Sequence, residues 1–167
     1  MLTVSEIFHD HMVLQRNKAI LIWGTASPHA PVRITMDAEA HESCADAEGK
    51  WRAVLPAMEA GSRHVLCIDA DQEHIELSDI NIGEVWLAGG QSNMEFHMKF
   101  DRDFDAVLNA ARFRDIRFYD VPEVAYDGEL DDFDYSQFGF WRKATPEDLG
   151  YFSAVAYYFA DQISEEL

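Results

Sequence analysis

Gly83-Glu84-Val85-Trp86-Leu87-Ala88-Gly89-Gly90-Gln91-Ser92-Asn93-Met94-Glu95-Phe96 is where the texture of the chain changes. Val85, Trp86, Leu87 and Ala88 form an unbroken apolar run, the pattern of a strand covered on both faces in a parallel sheet. Two glycines come next, which let the backbone turn sharply at the carboxyl end of such a sheet, where open α/β sheets bind their ligands. The residues after Ser92 are then placed to start a helical turn, with the Ser92 hydroxyl facing solvent in a crevice beside backbone N–H groups. A serine hydroxyl is a poor nucleophile until a base takes its proton, and the tetrahedral intermediate it forms needs donors aimed at the developing oxyanion. The N–H of Ser92 is one such donor. On pattern alone an equal reading is a strand-to-loop turn in which Gln91, Ser92 and Asn93 satisfy backbone groups. The spacing also departs from the nucleophile elbow of α/β-hydrolases, which wants glycine two residues after the serine, where Met94 stands.

Upstream, residues 1 to about 80 read as short strands separated by turn signals. Val32, Ile34 and Met36 alternate with polar neighbours, as do Trp51, Ala53 and Leu55, which points to a β-sandwich. Residues 19–23 are a nearly continuous apolar run closed by Gly24. Glu48-Gly49 offers the positive φ that a hairpin turn wants, and Ile75 and Leu77 alternate in the last strand. Downstream, Phe104, Val107, Leu108 and Ala111 repeat at helical spacing, and residues 116–119 read as a strand. Ala154, Val155, Tyr158, Phe159 and Ile163 line one face of a terminal helix that Ser153 can cap. Residues 121–140, acidic and aromatic without a period, read as a surface excursion. The expected organisation is a β-sandwich domain over 1–81 and an α/β layer over 82–167.

The 83–96 stretch closely resembles the first block of the sialate O-acetylesterase family, in which a Val-Trp-Leu strand runs into Gly-Gln-Ser-Asn-Met-Glu. Asp10-His11-Met12-Val13-Leu14-Gln15-Arg16 and Gly49-Lys50-Trp51 look like earlier family segments. Ile116-Arg117-Phe118 and Phe152-Ser153-Ala154-Val155-Ala156-Tyr157-Tyr158-Phe159 are similar to later ones. The resemblance implies an immunoglobulin-like or jelly-roll-like β-sandwich, then the first part of a flavodoxin-like α/β hydrolase domain of the SGNH superfamily. It also implies removal of acetyl groups from sugar hydroxyls, on O-acetylated sialic acid or a plant-type sugar, without cofactor or metal. The family's nucleophile carries over to Ser92, and the matching neighbours Gly90, Gln91 and Asn93 fix the turn or line the pocket. The family's later Trp-Gly-Gly-Thr block, its asparagine-bearing block and its C-terminal Asp-x-x-His are not found in these 167 residues. The general base histidine and its aspartate are therefore expected to be absent from this chain, which reads as the N-terminal portion of such an enzyme and should be inert by itself. A rival reading is a non-catalytic glycan- or protein-binding module.

Composition narrows the partners. With 48% hydrophobic and 13% aromatic residues the chain can build a core, and its formal net charge of −18 sets it against nucleic acid and anionic membranes. No run approaches the roughly 20 apolar residues of a membrane span and no signal peptide is seen, so a cytoplasmic protein is expected. An incomplete α/β sheet leaves a strand edge and apolar faces, so self-association is expected. Cys44 and Cys67 lack disulfide-framework or metal-knuckle spacing and read as reduced, buried or half-buried thiols.

Other candidate groups read as structural. Asp71-Gln72-Glu73-His74 has Asp-x-x-His spacing but falls in a turn between two strands, ahead of Ser92. His9, Asp10 and His11 point to alternate faces of an expected strand, and His97 reads as a loop residue. The acidic run 127–134 lacks EF-hand spacing. Trp141, Tyr151, Phe152, Tyr157, Tyr158 and Phe159 suit a sugar platform, but the helical spacing of the last three favours core packing.

Overall fold

Val32, Ile34 and Met36, and Trp51, Ala53 and Leu55, are all buried, so the period-2 pattern does set the first core. The computed structural model describes residues 1–110, 115–121 and 138–166, and these divide into two compact units, Met1–Val85 and Trp86–Leu167. Across the described residues the chain is a mixed α and β protein rich in sheet and with few helices.

The first unit holds eight strands in two sheets: β1 (Thr3–Val4), β2 (Val13–Gln15), β3 (Ile20–Thr25), β4 (Pro31–Met36), β5 (Glu39–Cys44), β6 (Lys50–Leu55), β7 (Gly61–Ala70) and β8 (Glu73–Gly83). One sheet has the order β1-β3-β6 and the other β2-β8-β7-β4-β5. Every pairing is antiparallel except β2 with β8. Met12, Ile22, Ile34, Leu55, Leu66, Ile68, Ile80 and Ile82 are the large, fully enclosed side chains of this unit.

Three local expectations are refined. Residues 19–23 do not form a two-faced run: Ile20 and Ile22 are buried, while Leu21 and Trp23 on the other face of β3 are exposed. Gly24 is required there because an added Cβ would run into the Thr3 carbonyl of the adjoining β1. Gly49 does adopt φ +80°, in a turn where Asp46 Oδ1 accepts the N–H groups of Glu48 (3.0 Å) and Lys50 (2.8 Å). That turn carries the chain from β5 to β6, from one sheet to the other, because β5 already pairs with β4.

The unit ends later than the expected boundary after residue 81. Asn81, Ile82 and Gly83 of β8 pair with β2, and beyond them the Glu84 carboxylate accepts from Gln15 Nε2 (3.0 Å) and Arg16 Nε (2.6 Å). The Val85 N–H donates to Gln15 Oε1 at 3.1 Å, so the exit of β8 is clamped by side chains of the β2 end.

In the second unit, α1 (Ser92–Glu95), α2 (Phe104–Ala110) and α3 (Ala154–Glu166) accompany β9 (Arg117–Tyr119) and β10 (Trp141–Lys143), which pair antiparallel. The expected helix at 104 and strand at 116–119 are both present; Ala111 and the acidic run 127–134 lie outside the described residues. A small core gathers Met98, Ile116, Phe118, Ala144, Leu149, Phe152, Ala154 and Tyr157. The buried face of α3 is Ala154 and Tyr157, with Ala156 and Ala160 packed beside them. Val155, Tyr158 and Phe159 of the expected face are exposed. The larger apolar stripe drew the wrong face because small alanines allow the helix to sit close to its neighbours. Arg142 is buried with its guanidinium 4.5 Å from the Phe140 ring centre and 4.6 Å from that of Tyr151, and its Nε lies 3.9 Å from Asp148. A planar, weakly hydrated cation suits that aromatic slot.

The clamp predicts a pH response. Hydrogen bonds from Gln15 and Arg16 hold the Glu84 carboxyl below its ordinary value of 4.5. A carboxylate whose folded pKa is depressed contributes stability above the unfolded value and loses it as pH falls through the folded value. Thermal unfolding of Glu84→Gln should therefore lie below wild type at pH 7, with the gap closing as pH drops under 4.5. A gap that stays constant with pH would contradict the clamp.

Candidate functional site

Ser92 opens α1, a single helical turn in which the Gln91 carbonyl accepts the N–H groups of Met94 (2.8 Å) and Glu95 (3.1 Å). The first N–H groups of a helical turn have no partner within it. Ser92 is exposed, and among the described residues neither its hydroxyl nor its N–H has a hydrogen-bond partner. The Gln91 and Asn93 side chains are likewise exposed and bonded to nothing described. The reading in which these three side chains satisfy backbone groups therefore does not describe this turn. Neither preceding glycine needs a positive φ. Gly90 is instead a matter of space, since an added Cβ would lie 3.0 Å from Met94 Cβ, whereas Gly89 faces open space.

The expected buried strand before the serine is not formed. Residues 84–90 have no regular structure, Trp86 is 60% exposed and Leu87 96%. A doubly covered strand needs a neighbour on each edge and a layer on each face, and no described strand pairs with this segment. Trp86 does make an edge contact with Phe159, with ring centres 5.3 Å apart, which uses part of the face of α3 left outside the small core.

The serine turn is tied down from its far side. Met98 N–H donates to the Phe152 carbonyl and Ala154 N–H to that of Phe96, each at 2.8 Å, forming a short antiparallel bridge centred on His97 and Ser153. Met98 is fully buried beside these two stretches of backbone. Ser153 also caps α3, its Oγ accepting the Ala156 N–H at 3.3 Å, as expected from the sequence, and the same hydroxyl lies 3.3 Å from Met94 Sδ. One residue thereby links the helix start, the bridge and the turn that carries Ser92.

Aromatic and charged groups surround this bridge. The Tyr158 hydroxyl donates to Asp101 Oδ1 at 3.1 Å; burial and then that bond push the phenol up to about 12. Lys99 Nζ sits 5.2 Å from the Phe100 ring and 5.0 Å from that of Tyr151. His97, the one histidine after residue 86, stacks on Phe100 with planes 12° apart. Of the six aromatic residues weighed as core or sugar platform, Phe152 and Tyr157 are buried, Trp141 and Tyr151 half-buried, and Tyr158 and Phe159 exposed.

The remaining candidates lie in the first unit. His74 bonds Asp69, not Asp71: Nδ1 is 2.7 Å from Asp69 Oδ1, while Asp71 accepts from Ser27 at 2.9 Å. His9 and His11 fall in a turn instead of a strand, because the backbone there bends, with His11 at φ 68° and its Nδ1 2.7 Å from Asp79 Oδ2. Cys44 is exposed, contrary to the expected burial, since β5 is the edge strand; Cys67 is half-buried as expected. Burial, with Glu76 and Asp69 nearby, raises the Cys67 thiol pKa.

No family model matches the chain. Curated relatives do match: the sialate O-acetylesterase of Homo sapiens is 29% identical over 184 residues, covering 95% of this chain and 34% of its own length. That of Mus musculus is 28% identical over 178 residues, covering 95% and 32%. Among solved structures, a carbohydrate acetylesterase from Xanthomonas citri is 34% identical with a TM-score of 0.88, over 98% of this chain and 37% of that one. The chain is similar to sialate O-acetylesterases over nearly all of its own length. It spans about a third of the length of the curated relatives it matches. The 83–96 block is largely exposed, and the turn that carries Ser92 is held by residues some sixty positions later in sequence.

Removing the Ser153 hydroxyl takes away the cap and the Met94 contact together. Ser153→Ala should cost about 1 kcal/mol in chemical denaturation, against about 2–5 kcal/mol for Met98→Ala, which opens the small core. Ser153→Asp should retain most of the cap. Equal stabilities of Ser153→Ala and wild type would show that the bridge alone holds the turn.

Proposed function

We propose that this chain supplies the nucleophile segment of a carbohydrate O-acetylesterase acting through Ser92. The observation that carries the reading is the state of Ser92: exposed at the start of α1, hydroxyl and N–H both uncommitted, within the block that matches the family. The names of the relatives support an acetyl ester on a carbohydrate as substrate, with O-acetylated sialic acid first.

In this reading a base removes the Ser92 hydroxyl proton as Oγ attacks the acetyl carbonyl carbon. The carbonyl oxygen becomes an oxyanion that takes the Ser92 N–H as one donor. Collapse expels the sugar oxygen, which takes the proton from the base. Water, deprotonated by the same base, then releases acetate from Ser92 and restores the hydroxyl. No step calls for a cofactor. Gly90 allows Met94 to fold under the turn, and Gln91 and Asn93 offer amides to the substrate or to the oxyanion's surroundings. The base is not His97, whose ring is stacked on Phe100 and which the family pattern gives no role, nor His74, which is engaged with Asp69. It is supplied from outside these 167 residues, so the chain by itself turns over poorly.

The finer fold belongs to the same proposal: the two sheets of the first unit form an immunoglobulin-like or jelly-roll-like sandwich, and the second unit is the opening of an SGNH α/β layer. Burial of side chains from both sheets and the likeness to the Xanthomonas citri structure support it.

Acetate release from O-acetylated sugars by the complete protein should fall by about four to six orders of magnitude in Ser92→Ala. The 167-residue chain alone should hydrolyse p-nitrophenyl acetate no faster than its own Ser92→Ala variant. Undiminished turnover in the complete Ser92→Ala protein would sink the mechanism.

A further inference from the structure

In the β7–β8 hairpin, Cys67 stands directly across from Glu76, and Asp69 directly across from His74. Residues two apart on a strand share a face, so these four side chains form a rectangle on one face of the sheet. It is the face away from the core, because Leu66, Ile68 and Ala70 of the same strand are buried on the other. On its other edge β7 pairs with β4, with Thr35 across from Cys67 and Arg33 across from Asp69, which fixes the register of these two residues from both sides.

A thiol, an imidazole and a carboxylate from Cys67, His74 and Glu76 present ligand atoms within 4.8 Å of one another. A tetrahedral metal with bonds near 2.0–2.3 Å sets its donors about 3.5 Å apart. The remaining gap is closed by side-chain rotation at the exposed Glu76, while Cys67 is half-buried and held by the strand. The bond from His74 Nδ1 to Asp69 Oδ1 at 2.7 Å leaves the Nε2 lone pair for a cation, the carboxylate–histidine arrangement that orients metal-bound imidazoles. Arg33, opposite Asp69 on β4, has its guanidinium 3.9 Å from Glu42, so the rectangle itself holds no paired cation from that side.

We propose that the outer face of the β7–β8 hairpin binds one borderline-soft divalent cation, of which zinc is the type, through Cys67, His74 and Glu76, with Asp69 as the positioning residue for His74. The sulfur and nitrogen donors select against calcium and magnesium, which demand oxygen sets of six or more. Three protein ligands leave a fourth position to water. Binding ties β7 to β8 across their turn and releases the thiol proton. This proposal and that of Ser92 do not depend on each other.

The test is calorimetric titration of the reduced 167-residue chain with zinc in the presence of excess magnesium, together with cobalt titration read by absorption. The expected result is one equivalent of zinc bound, a thiolate-to-cobalt charge-transfer band, and a rise in melting temperature with zinc. Cys67→Ser and His74→Ala should abolish all three, and Cys44→Ser should leave them intact. Asp69→Asn should weaken zinc by about 10–100-fold while keeping the charge-transfer band. The melting curve of each variant without metal reports that it is folded. No binding in the wild-type chain, cobalt bound without a thiolate band, or unchanged affinity in Cys67→Ser or His74→Ala would overturn the proposal.

Discussion

Two backbone hydrogen bonds, Met98 to Phe152 and Ala154 to Phe96, hold the turn that carries Ser92 where it is. Backbone bonds of this kind contribute about 1 kcal/mol each when water can compete, and more is at stake when they lie against a closed core. Met98, with no exposed surface, closes that core from the Ser92 side, and Phe152, Ala154 and Tyr157 close it from the α3 side. Ser153 between them caps the helix. The extended segment before Ser92 contributes little to this arrangement, so the serine is positioned from its carboxyl side, by residues later in the chain.

This arrangement lets the proposed nucleophile be exposed without being loose. A side chain on a free loop samples many rotamers and backbone states, and ordering it on substrate binding has an entropic cost. A single helical turn tied to a longer helix through a bridge has already met much of that cost in folding. The same logic separates Ser92 from the histidines. The chain has seven, and three in the first unit stand 2.7 Å from an aspartate: His11 with Asp79, His64 with Asp37, and His74 with Asp69. Those pairs stitch turns and strands together, whereas the polar side chains around Ser92 are uncommitted.

What was legible in the sequence was what local pattern determines. Strand alternation at 32–36 and 51–55 gave the correct inward faces, Gly49 took the positive φ, and Ser153 capped α3, because each depends on neighbours in sequence. The larger failures were matters of partners. Residues 85–88 read as a buried strand on their apolar content, yet burial requires flanking strands and covering layers, and no described strand supplies them. Of the expected face of α3, Ala154 is buried, but Val155, Tyr158 and Phe159 are exposed and Tyr157 takes the core position. The Cys67, His74 and Glu76 group was invisible because it exists only in the cross-strand register; in sequence its members have no recognisable metal spacing. Pattern alone left two readings of Ser92 level, and the nucleophile reading proposed for it rests on motif likeness.

The central claim is that Ser92 is the acylated nucleophile. Treating the complete, active protein with a serine-reactive phosphonate and mapping the adduct by peptide mass spectrometry tests it directly. The account predicts one adduct, on Ser92, formed in step with loss of acetate release; an adduct on another residue, or full inactivation with Ser92 unmodified, would contradict it.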